Sequence, residues 1–390
     1  MMKEGWKYKK IKDVGVVIGG TTPSTANPAF WNGNICWISP AELKGEHYLY
    51  DSAKKITEEA VSAKNLKELP IGTVILSSRA PIGKLAINKV PMYCNQGFKC
   101  IICGNELYNE YLYWWLYGKK DYLNSLGTGA TFPEISKSVV ENIQIPIPPL
   151  PEQHRIVEYL DTQFAKIDAL KTNAEQQLQA AKDLFQSALK DLMTPKEGWE
   201  MKNLGEVGVF SRGGNFTKSD FVENGIPCIH YGQIHMRFGV TTEKCLTYLP
   251  YDFPKIKYAQ TGDLIIAITS EDDEGSCKCT AWLGKENVAV GGHIAVFHHQ
   301  LDPVFMSYFF MSPSFQKDKL EFTHGFKVVE IKPCDIAKIK IAFPTMEGQK
   351  GIVQQLDKIN VLIENLKRNY EQTLTLCNDL KQSLLKKIFE

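Results

Sequence analysis

No apolar run in this chain approaches the ~18 residues that a membrane-spanning helix needs. The stretch Met1 to Lys12 is charged and polar and lacks the apolar centre of an export signal. The ten cysteines are therefore expected in a reducing cytosol. Nucleotide and metal signatures are also missing. There is no Gly-x-x-x-x-Gly-Lys-Ser/Thr loop to cradle phosphates. Asn27-Pro28-Ala29-Phe30 lacks the second proline of an Asn-Pro-Pro-Tyr-like methyltransferase tetrad. Gly127-Thr128-Gly129 lacks the strand and helix that flank a nucleotide site. Cys100 and Cys103 form a single pair inside an apolar run, and Cys277-Lys278-Cys279 is too tight to complete a usual zinc pattern. No catalytic centre, bound cofactor or metal is expected. An excess of one charge sign is absent too, since 45 Lys and Arg balance 44 Asp and Glu.

What the chain has is a repeat. Lys3-Glu4-Gly5-Trp6 recurs as Lys196-Glu197-Gly198-Trp199, and Val14-Gly15-Val16 as Val207-Gly208-Val209. Gly19-Gly20 is echoed by Gly213-Gly214, Glu134-Ile135 by Glu330-Ile331, and Ile143-Gln144-Ile145 by Ile339-Lys340-Ile341. Gln153, Ile156-Val157 and Leu160-Asp161 return as Gln349, Ile352-Val353 and Leu356-Asp357. A register held over half a chain is a duplication.

Each unit reads as a module of short β-type runs with interspersed helices, closed by one long helix. The expected boundaries are 1–150, 151–193, 194–346 and 347–390. Prolines 146, 148, 149 and 151 precede the first helix and Pro344 the second, a helix-start signal. In the second helix apolar or small residues fall at Ile352, Leu356, Ile359, Ile363, Leu366, Tyr370, Thr373, Cys377, Leu380 and Leu384, the alternating steps of a coiled-coil seam. In the first, Ile156, Leu160, Ile167, Leu170, Ala174, Ala181 and Ala188 keep that register, with Gln163 and Gln177 interrupting it. Helices of about 40 residues are about 60 Å long and exceed ordinary surface helices, so the two are expected to pair. Antiparallel pairing sets one module at each end of a rod. Two similar modules with divergent loops then suit a ligand with two different halves.

Several segments resemble the specificity subunit of a type I restriction–modification system over the whole chain. They are Gly5-Trp6, Thr73 to Lys84, Asn95-Gln96-Gly97-Phe98-Lys99, Gly127 to Ser136, and Ile145 to Gln153. The second module departs from the pattern at Ile268 to Glu274, at Gly291-Gly292-His293 and at Pro344 to Gln349. The resemblance implies a mixed α/β (α+β) fold: two tandem target-recognition domains separated by two long helices in an antiparallel coiled coil, with pseudo-two-fold symmetry. It implies double-stranded DNA as ligand, read as a split asymmetric sequence. It also implies two methyltransferase subunits and two restriction/translocase subunits as partners, which would use S-adenosylmethionine, ATP and Mg. The competing reading is a scaffold whose coiled coil joins two protein-binding modules.

Base reading calls for side chains that match donors and acceptors in the groove. In the first module the candidates are Ser77, Ser78, Arg79, Lys84, Asn95, Gln96, Lys99, Thr128 and Thr131. Arg79 leads, as the one arginine in residues 1–150. In the second they are His230, Tyr231, Gln233, His235, Arg237, Lys278, His293, His324 and Lys327. Lys7, Lys9, Lys10, Lys12 and Lys44 are candidates for phosphates. The acidic run Glu271 to Glu274 is a solvated loop or an acceptor for cytosine amino groups. Only the first module is basic, with 17 Lys and Arg against 13 Asp and Glu; residues 194–346 carry 16 against 18. A partner is therefore expected to supply much of the phosphate neutralisation.

Overall fold

The computed structural model describes residues 6–129, 133–273, 275–325 and 328–390. The chain divides into two compact units: Met1–Asn173 with Glu371–Glu390, and Ala174–Tyr370. Each unit thus takes its module, a stretch of the helix Leu150–Met193, and a stretch of the helix Met346–Phe389.

In the first unit a five-stranded sheet runs in the order Gly15–Gly19, Phe98–Cys103, Val74–Ser77, Leu85–Asn88, Tyr48–Leu49. All its pairs are antiparallel except the last. Val74–Ser77 and Leu85–Asn88 are buried at every position, as expected for strands covered on both faces. A second sheet of three strands holds Lys54–Ile56, Trp31–Ile38 and Tyr93–Cys94. Lys7–Lys10 pairs antiparallel with Gln144–Ile147 and closes the module.

The second unit repeats the plan. Its five-stranded sheet runs Gly208–Arg212, Ile294–His299, Leu264–Ala267, Cys279–Trp282, Thr241–Thr242. A four-stranded sheet lies in the order Thr247–Leu249, Ile226–Ile229, Val288–Val290, Tyr258–Ala259. Glu200–Asn203 pairs with Lys340–Phe343 as the closing ribbon. The mixed α/β class and the tandem arrangement expected from the sequence are both present.

One device ties each module to its helix, and it explains two of the repeated residues. Gln153 is fully buried. Its Nε2 donates to the Glu106 and Pro148 carbonyls at 2.8 Å, and its Oε1 accepts from Tyr108 N. Gln349 repeats this with the Pro344 carbonyl and Asp302 N. Two turns on, Asp161 accepts from Trp114 Nε1 at 2.9 Å, and Asp357 accepts from the Tyr308 hydroxyl at 2.6 Å. Buried backbone groups at a helix entrance need partners, and one glutamine supplies them.

The helices run in opposite directions within the first unit. Cys377 Sγ lies 3.8 Å from the Ile167 carbonyl, Lys381 Nζ is 5.0 Å from the Phe164 ring centre, and Phe389 packs on Tyr111. The seam of the first helix differs from the sequence reading. Gln153, Val157, Leu160, Phe164, Ile167, Leu178, Phe185 and Leu189 are buried, whereas Leu170 is exposed. Phe164 and Leu178 belong to the stripe, so Gln163 and Gln177 do not interrupt it. In the second helix Leu380 is exposed, and Lys381 takes its place against Phe164 with its ammonium paired to Asp168. A lysine stem covers apolar surface while its charge stays in water.

Candidate nucleic-acid interface

The first-unit candidates gather beyond the end of the strand Val74–Ser77, and most are occupied by contacts inside the module. Ser77 is fully buried; its Oγ donates to the Pro81 carbonyl and accepts from Lys84 N. Lys84 Nζ donates to the Pro40 and Leu43 carbonyls at 3.0 and 2.7 Å. The turn between them is tight, with Ala80 in the left-handed region at φ 53°. Asn95 Oδ1 accepts from Gly97 N, which shapes the adjacent turn. Gln96 is exposed and bonds the Thr22 hydroxyl. Thr128 is exposed and forms a two-bond bridge with the Glu134 backbone. Thr131 lies outside the described residues.

The group is organised by Glu134, which the sequence reading passed over. Lys99, nearly buried, donates from Nζ to Glu134 Oε1 at 2.9 Å, to Ser78 Oγ at 3.0 Å and to the Gln96 carbonyl at 3.3 Å. Arg79 Nη1 stands 3.7 Å from Glu134 Oε2, with 37% of its side chain exposed. Burial pushes the Glu134 carboxyl up, but the Lys99 bond and charge, Arg79 and the Ser78 hydroxyl outweigh it and hold the acid below its ordinary value. Of the two cations in this network Arg79 reaches water more freely than Lys99.

The second-unit candidates converge differently. The Tyr231 ring centre lies 4.4 Å from His230, 6.1 Å from His235 and 5.2 Å from His293. His230 caps the helix Tyr231–Met236, its Nδ1 accepting from Gly232 N. Burial, with Lys218 and His293 nearby, lowers its pKa, which favours the neutral ring that this cap requires. Gln233 bonds His230 N and the Thr247 hydroxyl. His235 Nε2 is 3.1 Å from the Thr269 carbonyl, and the His235 carbonyl accepts from Lys278 Nζ at 2.6 Å. Arg237, Lys278, His293 and His324 are exposed; Lys327 lies outside the described residues. His324 bridges Glu330 through the backbone, as Thr128 bridges Glu134. Asp272, in the acidic run, turns its carboxylate inward to Gly275 N. Among the phosphate candidates, Lys9 pairs with Glu106 and Lys10 donates to Asn142.

A further residue, Arg212, belongs with this group. Its Nη2 donates to Glu330 Oε1 at 2.7 Å, and 55% of the side chain is exposed. In the first unit Gly19 stands opposite Lys99; in the second Arg212 stands opposite Ala295. Directly opposed residues of an antiparallel pair share a face. The cation beside the retained glutamate has moved to the neighbouring strand. A search at the position aligned with Lys99 finds Ala295 and misses it.

The comparisons with known proteins agree with this duplicated arrangement. Over 239 residues the chain is 37% identical to the type I restriction enzyme MjaIX specificity subunit of Methanocaldococcus jannaschii, covering 56% of this chain and 55% of that one. It is 28% identical over 396 residues to the MjaVIII specificity subunit of the same organism, covering 95% and 89%. A chain solved under the description "Structural basis underlying complex assembly and conformational transition of the type I R-M system" shares the fold at a TM-score of 0.79, with 21% identity and coverage of 100% and 99%. The HsdS subunit from Thermoanaerobacter tengcongensis shares it at 0.57, also with 21% identity, covering 99% and 97%. Residues 3–180 and 196–375 each match the model of the type I restriction modification DNA specificity domain, so this chain, with two such domains in tandem, belongs to that family.

Proposed function

We propose that this chain gives a type I restriction–modification complex its DNA sequence specificity, reading a split, asymmetric duplex target with one module per half-site. The observation that carries the reading is a shared framework with unlike loops. The two five-stranded sheets have the same order, yet beyond them the first module presents Arg79 and the second a cluster in which Tyr231 and His235 of the helix Tyr231–Met236 meet His293, with Lys278 beside it. Arginine suits the edge of guanine, whereas aromatic and imidazole groups offer stacking and single hydrogen bonds. Arg79, Gln96 and Thr128 in the first module, and Arg237, Lys278, His293 and His324 in the second, are exposed enough to touch DNA. Ser77, Ser78, Lys84, Asn95 and Lys99 shape the loop that carries them, and His230 and Gln233 do the same in the second module.

In this reading the chain itself performs no chemistry. Two methyltransferase subunits and two restriction/translocase subunits dock on it and use S-adenosylmethionine, ATP and Mg. A near-neutral chain leaves much of the phosphate neutralisation to those partners. The test is methylation of genomic DNA by the chain reconstituted with methyltransferase subunits, read by sequencing. The expected product is one motif in two parts separated by an unspecific spacer. Uniform methylation of all sequences, or turnover by the purified chain alone, would contradict the proposal.

A further inference from the structure

We propose that Glu134 and Glu330 are positioning residues for base recognition, and that Arg212 is the second module's counterpart of Arg79. This rests on the DNA-reading function proposed above. The two carboxylates occupy the same backbone frame. Glu134 exchanges both backbone bonds with Thr128, and Glu330 does so with His324. The next residue, Ile135 or Ile331, donates its N–H to the carbonyl that follows the central strand, that of Ser78 or Ile268, at 3.0 Å in each case. Each glutamate then holds an arginine that is substantially exposed, Arg79 at 3.7 Å and Arg212 at 2.7 Å.

A carboxylate on a DNA-facing surface repels phosphate, so keeping one in both copies calls for a physical reason. An unpaired arginine is long and mobile and meets any phosphate it can reach. Kept beside a fixed carboxylate, by a hydrogen bond for Arg212 and by an ion pair at 3.7 Å for Arg79, its planar fork samples fewer orientations before DNA arrives, and less freedom is lost on binding. The carboxylate also penalises loose contacts to the backbone, which carry no sequence information. The two copies reach this end by different routes. In the first module the nearly buried Lys99 offsets part of the Glu134 charge and Arg79 comes from the adjacent loop. In the second, Ala295 replaces Lys99 and Arg212 comes from the edge strand Gly208–Arg212. The arginines therefore approach their carboxylates from different sides, which suits two half-sites of different sequence.

The experiment is selection from a pool of random-sequence duplexes by the full chain bound to its methyltransferase subunits, followed by sequencing. For Glu330→Gln, base preference at one position of the second half-site falls about tenfold while the first half-site is unchanged. Arg212→Ala relaxes the same position, and the double variant is no worse than Arg212→Ala alone. Glu330→Asp, which keeps the charge, recovers part of the preference. Glu134→Gln does the same to the first half-site only. Unchanged motifs in Glu330→Gln, or equal loss at both half-sites, would overturn the inference. A wild-type complex that enriches no motif would instead overturn the DNA-reading function itself.

Discussion

At the helix entrance of each module Gln153 and Gln349 make matching bonds, and Asp161 and Asp357 each accept from an aromatic side chain. At the loops of the same modules almost nothing matches except one glutamate. At the adjoining strand ends Lys99 becomes Ala295 and Gly19 gives way to Arg212, and the second module adds an imidazole and tyrosine cluster built on the helix Tyr231–Met236. The entrance must satisfy a buried helix start, a requirement that is the same in both copies. The loops face solvent and are free to diverge. Copies that agree at the entrance and disagree at the loops fit the proposal of one framework put to two recognition tasks.

Substitutions at the framework should therefore act alike in the two copies. The largest effect is expected for Leu160→Ala and Leu356→Ala, both fully buried where helix meets module. Each should cost about 3 kcal/mol in urea unfolding. A cost below about 1 kcal/mol in one copy alone would break the equivalence.

Acid should separate the copies. His299, at the end of the strand Ile294–His299, is held at about 4 mainly by burial, although Asp263 pulls the other way. Its first-unit counterpart, at the end of Phe98–Cys103, is Cys103. A histidine with a depressed folded pKa contributes stability that is complete above its unfolded value of 6.5 and is lost as pH falls toward 4. Discounted for partial exposure, that is about 2 kcal/mol. Hydrogen exchange at pH 5 relative to pH 7 should show the second unit loosening first, and His299→Phe should remove the difference.

Smaller effects follow at the anchors. Trp114→Phe and Tyr308→Phe each remove one bond to an aspartate and should cost about 1.5 kcal/mol. Unequal losses would show that the two aspartates differ in role. The smallest effect concerns Glu134. Its lowered pKa makes its contribution present above the ordinary Glu value of 4.5 and lost as pH falls below it. Glu134→Gln should melt below wild type at pH 7 by a degree or less and equal it near pH 3, because the exposed half of the network is screened.

The repeat and the long helices could be read from spacing alone, because duplicated residues at a steady offset survive any uncertainty about contacts, whereas the mixed α/β class was implied by the family resemblance. Gln153 and Asp161 stood out for the same reason. The coiled-coil register was harder, since Gln163 beside Phe164 and Gln177 beside Leu178 offer two seams one residue apart, and only packing chooses between them. The loops were legible in type and misleading in detail. Ser77, Ser78 and Lys99 look like a polar surface patch in sequence, yet their polar atoms are consumed within the fold. Arg212 was hidden because its charge crossed from one strand to the next. Pairing register carries that information, and sequence order does not.

The most direct test of the account moves a loop. Replacing Thr269–Lys278 of the second module with Arg79–Lys84 of the first, which joins the two at the equivalent residues Ile268 and Ser78, and sequencing the methylated motif made by the reconstituted complex, isolates one recognition task on an unchanged framework. The account predicts that only the second half of the motif changes, with the first half and the spacer preserved. Change in both halves, or in neither, would contradict it.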